Sequence, residues 1–333
     1  MNFEKFEDTI RAKKAKVEEK FAPYCDLRLV SSSITPSVTF AVKIYKPEKA
    51  SCLVATTHGW HMSIDTNVEY DKPQSPYLLV EVDMRGRAYS TGAPDCNGLE
   101  LYDVYDAIRF ALKEYSEYVL EKNLIYFEGG SGGGGNALAI AAKFPDLFSA
   151  VNAMCPISDY YEWYQTDSKL GEFRDEMDVW ICPNPENNRE AYNSRSGLAL
   201  LPNLMTSVQI CHGTTDIRVP FSLTALYQKR AEELGKSVRV YSMDGVGTRE
   251  HFGNITPEQY AEMERVCREN ISAHRSTIQI PRKGSFVVGG YLVTKHFSVF
   301  LPSLDKVVTV DYDLDKREIT ARDQVELDVV WHK

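Results

Sequence analysis

Gly129-Gly130-Ser131-Gly132-Gly133 sits between an apolar run, Asn123–Phe127, and a small-residue segment of helical character, Asn136–Phe144. This is the G-x-S-x-G pattern at a strand–turn–helix junction. A serine placed there sits in a strained turn, where side chains on its neighbours would strike the strand and the helix. The turn lifts the hydroxyl clear of the sheet. It also leaves the Gly132 N–H free at a helix N-terminus, where it can stabilise an oxyanion. The glycines Gly130–Gly135 also satisfy G-x-G-x-x-G. That motif belongs to a first βαβ unit with an acidic residue closing the second strand. Here it lies mid-chain, and the next strand, 149–155, ends in Met-Cys-Pro. No Gly-Lys-Ser/Thr follows. A nucleophile elbow is therefore the stronger reading than a nucleotide loop or a merely structural turn.

Short apolar runs and amphipathic stretches alternate around the elbow. Strands are expected at 38–45, 52–59, 77–86, 123–130, 149–155, 208–213 and 238–245, and helices at 101–115, 133–144, 221–235 and 257–274. Strands separated by helices of this length imply an α/β fold with a mostly parallel sheet flanked by helices. Two regions break the alternation. Residues 158–201, rich in Tyr, Trp and acids, read as a cap inserted over the carboxyl edge of the sheet. Residues 276–333 read as a small, mainly antiparallel β addition, leaving 1–275 as the main domain. Residues 3–21 carry apolar side chains near helical spacing and predict an amphipathic helix docked on the body.

The acid and base follow in the order Ser…Asp…His. Asp216 comes just after strand 208–213, at the same sheet edge as Ser131, and can accept the imidazole Nδ1 proton. An Asp capping the next helix is the competing reading. His251 lies on the loop after the following strand. Asp244, on that same loop, is the rival acid. Thr57-His58-Gly59-Trp60-His61 ends an early strand, and its turn can supply a second oxyanion N–H from Trp60. His58 reads as a packed turn residue, and His61 has no role. Neither histidine has a carboxylate or cysteine at metal-ligand spacing, and this chemistry needs no cofactor. The constellation defines an α/β-hydrolase fold with Ser131, Asp216 and His251 as catalytic residues.

The formal net charge of −9 argues against nucleic acid as a partner. No run of roughly 18 apolar residues suggests a membrane span. Seven cysteines scattered singly, with no CxxC, suggest reduced thiols and a cytoplasmic protein. The N-terminal helix and the C-terminal β addition offer surfaces for assembly, in a homo-oligomer for instance.

The stretches around Ser131 and across 190–242 resemble the catalytic domain of the prolyl oligopeptidase family. The His-Gly-aromatic turn and Asp83-Met84-Arg85-Gly86 also resemble the acetyl xylan esterase/cephalosporin C deacetylase family. Both resemblances imply the Ser131–Asp216–His251 triad, with the Trp60 and Gly132 N–H groups as oxyanion hole. The second implies a short-acyl esterase acting on acetyl esters, of carbohydrates for instance. The aromatic set Tyr160, Tyr161, Trp163, Tyr164 and Trp180, with Trp60, would then bind substrate, since aromatic rings stack on sugar faces; the same rings serve equally as the cap's own core. The first implies a serine peptidase. A non-catalytic binding or assembly module on the same fold is the third reading.

Overall fold

The computed structural model describes residues 16–166 and 173–332. Its centre is a nine-stranded sheet in the order β1-β2-β3-β5-β4-β6-β7-β8-β9. Strands β1 (Lys20–Phe21), β2 (Cys25–Ser31) and β3 (Thr39–Tyr45) pair antiparallel. Strands β4 (Leu53–Thr57), β5 (Leu78–Val82), β6 (Ile125–Gly130), β7 (Ala150–Met154), β8 (Ser207–Gly213) and β9 (Val238–Met243) run parallel to one another. The helices are α1 (Glu100–Glu114), α2 (Gly132–Lys143), the short α3 (Tyr160–Thr166), α4 (Arg174–Trp180) and α5 (Arg189–Asn193), then α6 (Phe221–Glu233) and α7 (Pro257–Ala273). This is the expected α/β-hydrolase architecture.

The sequence explains these elements locally. Every residue of β8 is buried, as in a parallel strand covered on both faces. Val208 and Ile210 join Phe127, Val151 and Leu138 in the main core, each fully buried apolar side chain contributing about 1.5–3 kcal/mol. Helix α7 starts at a capping box: Thr256 Oγ1 accepts the Gln259 N–H at 3.2 Å, and Gln259 Oε1 accepts the Thr256 N–H at 3.0 Å. Pro257 at the first helical position needs no hydrogen-bond partner for its nitrogen.

Two expectations need correction. The alternation in 38–45 suggests a half-exposed strand, yet the interior of β3 is buried on both faces. Phe40, Val42 and Ile44 face the main core, while Ala41 packs in a second apolar cluster with Ile64 and Val68. Lys43 on that side is buried, donating to Tyr70 Oη at 2.8 Å and Asp65 Oδ2 at 3.3 Å. Loop 61–76 thus closes over a face that the sequence pattern alone leaves open. The helix expected over 3–21 falls partly on residues 1–15, outside the described residues; within the remainder, Lys20–Phe21 is an edge strand.

Residues 283–331 form a six-stranded antiparallel sheet in the order β14-β13-β10-β11-β12-β15: β10 (Lys283–Gly289), β11 (Tyr291–Val293), β12 (Phe297–Phe300), β13 (Val307–Asp313), β14 (Glu318–Ala321) and β15 (Asp328–Trp331). Phe286, Val288, Val299 and Val310 build its own core. Its other attachments lead inward. Tyr291 and Val293 join the main core, Lys143 of α2 donates to the Gly289 carbonyl, and Asn203 pairs with both backbone groups of Val287 at 2.7 Å. The addition therefore braces the helix that begins at Ser131.

Candidate active site

Strand order positions the site. β4 lies between β5 and β6, and Thr57 is registered opposite Gly129, so the turn after β4 and the elbow after β6 are neighbours. The carboxyl ends of β8 and β9 lie along the same edge, the location where open α/β sheets bind ligands.

At the elbow Ser131 adopts φ 57° and ψ −118°. A non-glycine residue held there costs on the order of 1–3 kcal/mol and needs support from its surroundings. Its N–H donates to the Met154 carbonyl at 2.8 Å, and its carbonyl accepts the Gly135 N–H at 3.0 Å. The flanking glycines are needed for close approach rather than for a positive φ. A Cβ on Gly129 would strike the Gly133 backbone, and one on Gly132 would meet the Trp60 backbone nitrogen and, at 2.5 Å, its Cα. Residue 132 therefore has no room for a side chain, and the backbones of the two expected oxyanion donors lie side by side. Gly132→Ala is expected to lower kcat by about 100-fold, within the range for loss of one oxyanion donor. Steady-state kinetics checks this, with circular dichroism to verify folding.

Ser131 Oγ lies 2.8 Å from His251 Nε2, and His251 Nδ1 lies 2.6 Å from Asp216 Oδ2. With the Nδ1–H donating a hydrogen bond to the carboxylate, Nε2 remains as acceptor for the Ser131 hydroxyl. Asp216 Oδ1 accepts the N–H groups of Arg218 and Val219 at 2.8 and 3.0 Å, which fixes the carboxylate plane. Burial pushes this carboxyl up, but hydrogen bonds from His212, His251 and the Val219 N–H outweigh it and hold Asp216 well below the usual carboxylate range. His212 Nε2 donates to the Val219 carbonyl at 2.9 Å and stands 3.4 Å from Asp216 Oδ2. Asp244, the rival acid, is exposed, and its Oδ1 accepts the Thr214 hydroxyl instead.

Cys155 Sγ gathers with Asp216 and His251 closely enough to suggest a metal site. The donor set does not fit one. Both Asp216 oxygens are already engaged, and burial followed by the neighbouring Asp216 charge pushes the Cys155 thiol far above its ordinary value.

His58 is buried, as the turn reading expects. Its Nδ1–H donates to the Gly59 carbonyl at 2.8 Å, and its Nε2 accepts the Met84 N–H at 3.1 Å. In a trans peptide the carbonyl and the following N–H point in opposite directions. Holding the Gly59 carbonyl on His58 therefore turns the Trp60 N–H away from it.

A cleft of about 440 Å³ opens over Ser131 and His251, a size suited to a small ligand. Trp60, Ile64, Trp163, Phe173 and Val219 form its apolar wall, and Arg218 and Glu250 pair at 3.0 Å along its border. Of the expected aromatic binding set, only Trp60 and Trp163 line the cleft. Tyr160 is fully buried, its hydroxyl accepting from Asn97 Nδ2 at 3.2 Å. Trp180 lies against Trp60, 4.9 Å between centroids, without lining the cleft. Tyr161 donates to Glu186 and sits under Arg189, and Tyr164 meets Tyr192 and Arg174. Those four serve the cap's own core and surface, because short helices turn adjacent aromatic residues to different faces. Phe173 and Val219 escape the sequence reading. Val219 stands three residues from Asp216, a signal that was present, whereas Phe173 reaches the cleft through tertiary packing alone.

A model of the prolyl oligopeptidase family matches residues 76–263, more than half of the chain. The chain belongs to the prolyl oligopeptidase family. Comparison with curated proteins returns no match. Among solved structures, the Pyrococcus horikoshii acylaminoacyl peptidase is similar, with 21% identity and a TM-score of 0.63 over 79% of this chain and 42% of that one. A puromycin hydrolase gives 14% identity and a TM-score of 0.61 over 78% and 40%, and the Porphyromonas gingivalis dipeptidyl peptidase 4 gives 17% and 0.59 over 75% and 36%. At these identities the likeness shows the fold, and the chain spans about two-fifths of the length of these proteins. The family assignment overturns the expected short-acyl carbohydrate esterase: it supports the prolyl oligopeptidase resemblance and lends nothing to the deacetylase one. No helix among the described residues is long and apolar enough to cross a membrane.

Proposed function

We propose that this prolyl oligopeptidase-family chain is a serine peptidase that cleaves an amide bond following an apolar or aromatic residue. The observation that carries the reading is the hydrogen-bonded chain from Ser131 through His251 to Asp216, opening on an aromatic cleft in a member of this family. Ser131 Oγ attacks the scissile carbonyl carbon while its proton passes to His251 Nε2. Asp216 stabilises the imidazolium so formed. The oxyanion is held by the N–H groups of Trp60 and Gly132. His251 then gives its proton to the leaving nitrogen, the C–N bond breaks, and an acyl-enzyme remains on Ser131. Water activated by the same imidazole releases the acid. An amide depends on the protonation of its leaving nitrogen, so an imidazole bonded on both sides suits this chemistry.

The wall of Trp60, Ile64, Trp163, Phe173 and Val219 supports an apolar side chain beside the scissile bond. Burying a benzyl group there gains about 2–3 kcal/mol over leaving it exposed. Peptide p-nitroanilides with Phe ahead of the scissile bond should accordingly exceed those with Asp by about 30-fold or more in kcat/KM. A panel of such anilides, run beside acetylated sugars, tests the reading. Turnover of the acetyl esters with no turnover of any anilide would sink it.

A further inference from the structure

Behind the oxyanion turn lies a second group of charges that the mechanism above does not use. Arg87 and Glu100 are both buried, 3% and 2% exposed. Arg87 Nη2 donates to the Trp60 carbonyl at 2.9 Å, and its guanidinium lies 4.2 Å from the centre of the Trp180 ring, which in turn contacts the Trp60 indole. Glu100 Oε1 accepts the Asn97 N–H at 2.6 Å. Arg87 Nε and Nη1 and Glu100 Oε2 have no protein hydrogen-bond partner, although all three are buried. Arg87 and Glu100 line one small pocket with His58, Gly59, Trp60, Met84, Gly132 and Asn136, with about 10 Å³ in which the centre of a water molecule fits. A site of this size lined by several polar groups is suited to one ordered water.

We propose that Arg87, backed by Glu100 through a water in this cavity, is a positioning residue for the oxyanion hole. The inference rests on the peptidase reading of the Ser131 site. Both peptide groups flanking Trp60 are gripped: the one before it by His58 at the Gly59 carbonyl, and the one after it by Arg87 at the Trp60 carbonyl. With both held, the Trp60 N–H has one direction available. Preorganised donors of this kind act on the transition state more than on the bound substrate, because charge develops on the carbonyl oxygen only as the bond forms. Burial pushes the Glu100 carboxyl up to about 7, Asp95 adds to the rise, and Arg87 draws it back down, so the two charges depend on each other. An unpaired buried guanidinium would be costly, and the nearby Glu100 carboxyl lowers that cost.

The test uses the full chain with Arg87→Met and Arg87→Lys. Two quantities are read: kcat and KM on a Phe p-nitroanilide, and the second-order rate of inactivation by a fluorophosphonate. In the inactivation Ser131 Oγ bonds to phosphorus, fluoride leaves, and the phosphoryl oxygen occupies the same hole. Arg87→Met is expected to lose about 10- to 100-fold in kcat with KM within about twofold, and to lose a similar factor in inactivation rate. Arg87→Lys keeps the charge and most of the packing but loses the fork, and is expected to lose about fivefold or more. A loss carried by KM, or a kcat within twofold of wild type in either folded variant, would overturn the proposal. A purely structural role would lower the melting temperature and leave kcat of the folded enzyme unchanged. The peptidase reading beneath it fails separately, when the wild-type chain is labelled at Ser131 yet turns over no peptide anilide; the inactivation rates of the Arg87 variants then still test the positioning role.

Discussion

Ser131→Ala is expected to reduce kcat on a peptide anilide by about 10⁴-fold or more, with the fold intact. Removing the nucleophile of a serine triad leaves only the rate enhancement due to binding and the oxyanion hole. Here the contrast should be sharp, because the substitution removes one oxygen and no backbone contact. The Ser131 N–H bond to Met154 and the Gly135 N–H bond to residue 131 both survive in alanine. The positive φ also persists, so the elbow keeps its strain and its shape. The variant should therefore bind substrate with nearly unchanged affinity, resist fluorophosphonate labelling, and unfold near the wild-type temperature. If the variant kept more than about a tenth of wild-type kcat, Ser131 would not be the nucleophile.

The meeting of Ser131, Asp216 and His251 at one sheet edge was legible because each position follows a constraint that acts locally. The elbow needs glycines for steric reasons that two or three residues express on their own. Asp216 and His251 then follow from the ends of consecutive parallel strands, which the alternation of apolar runs and amphipathic helices already places on one edge. Most of what escaped depends on contacts far apart in the chain. β2 alternates Cys25, Leu27 and Leu29 with Asp26 and Arg28, a strand signal that the sequence reading passed over, and it pairs along its full length with β3. Lys43 marks β3 as an exposed strand until loop 61–76 supplies Tyr70 and Asp65. The aromatic residues of the cap share one composition and divide between cleft, core and surface according to which side each short helix presents. The error about reaction class has a chemical cause. The same serine, imidazole, carboxylate and pair of N–H groups serve esters and amides alike, so the constellation does not choose between them. The long-range likeness over 76–263 decides the family, although no single motif does.

Asp216→Asn is expected to lower kcat by about 10⁴-fold while leaving KM and the fold close to wild type, a size of effect known for the equivalent change in another serine protease. The amide oxygen can replace Oδ1 as acceptor of the Arg218 and Val219 N–H groups, which orients the side chain as before. The amide nitrogen then occupies the place of Oδ2, 2.6 Å from His251 Nδ1, and it can only donate. The imidazole must answer with a bare Nδ1, so its proton moves to Nε2 and points at the Ser131 hydroxyl. A ring in that tautomer cannot take the serine proton, and the imidazolium that would form loses its counter-charge. The stability profile should change as well. A carboxyl whose folded-state pKa is depressed contributes stability above its unfolded value of about 3.9 and loses that contribution as pH falls through the folded value. Wild type should therefore lose stability more steeply than the Asn variant as the solution is acidified below about pH 5, as followed by melting temperature. Asp244→Asn is the control, expected to keep kcat within about twofold, because that exposed carboxylate meets Thr214. A large loss in Asp244→Asn with little in Asp216→Asn would transfer the role of acid to Asp244 and undo the tautomer argument.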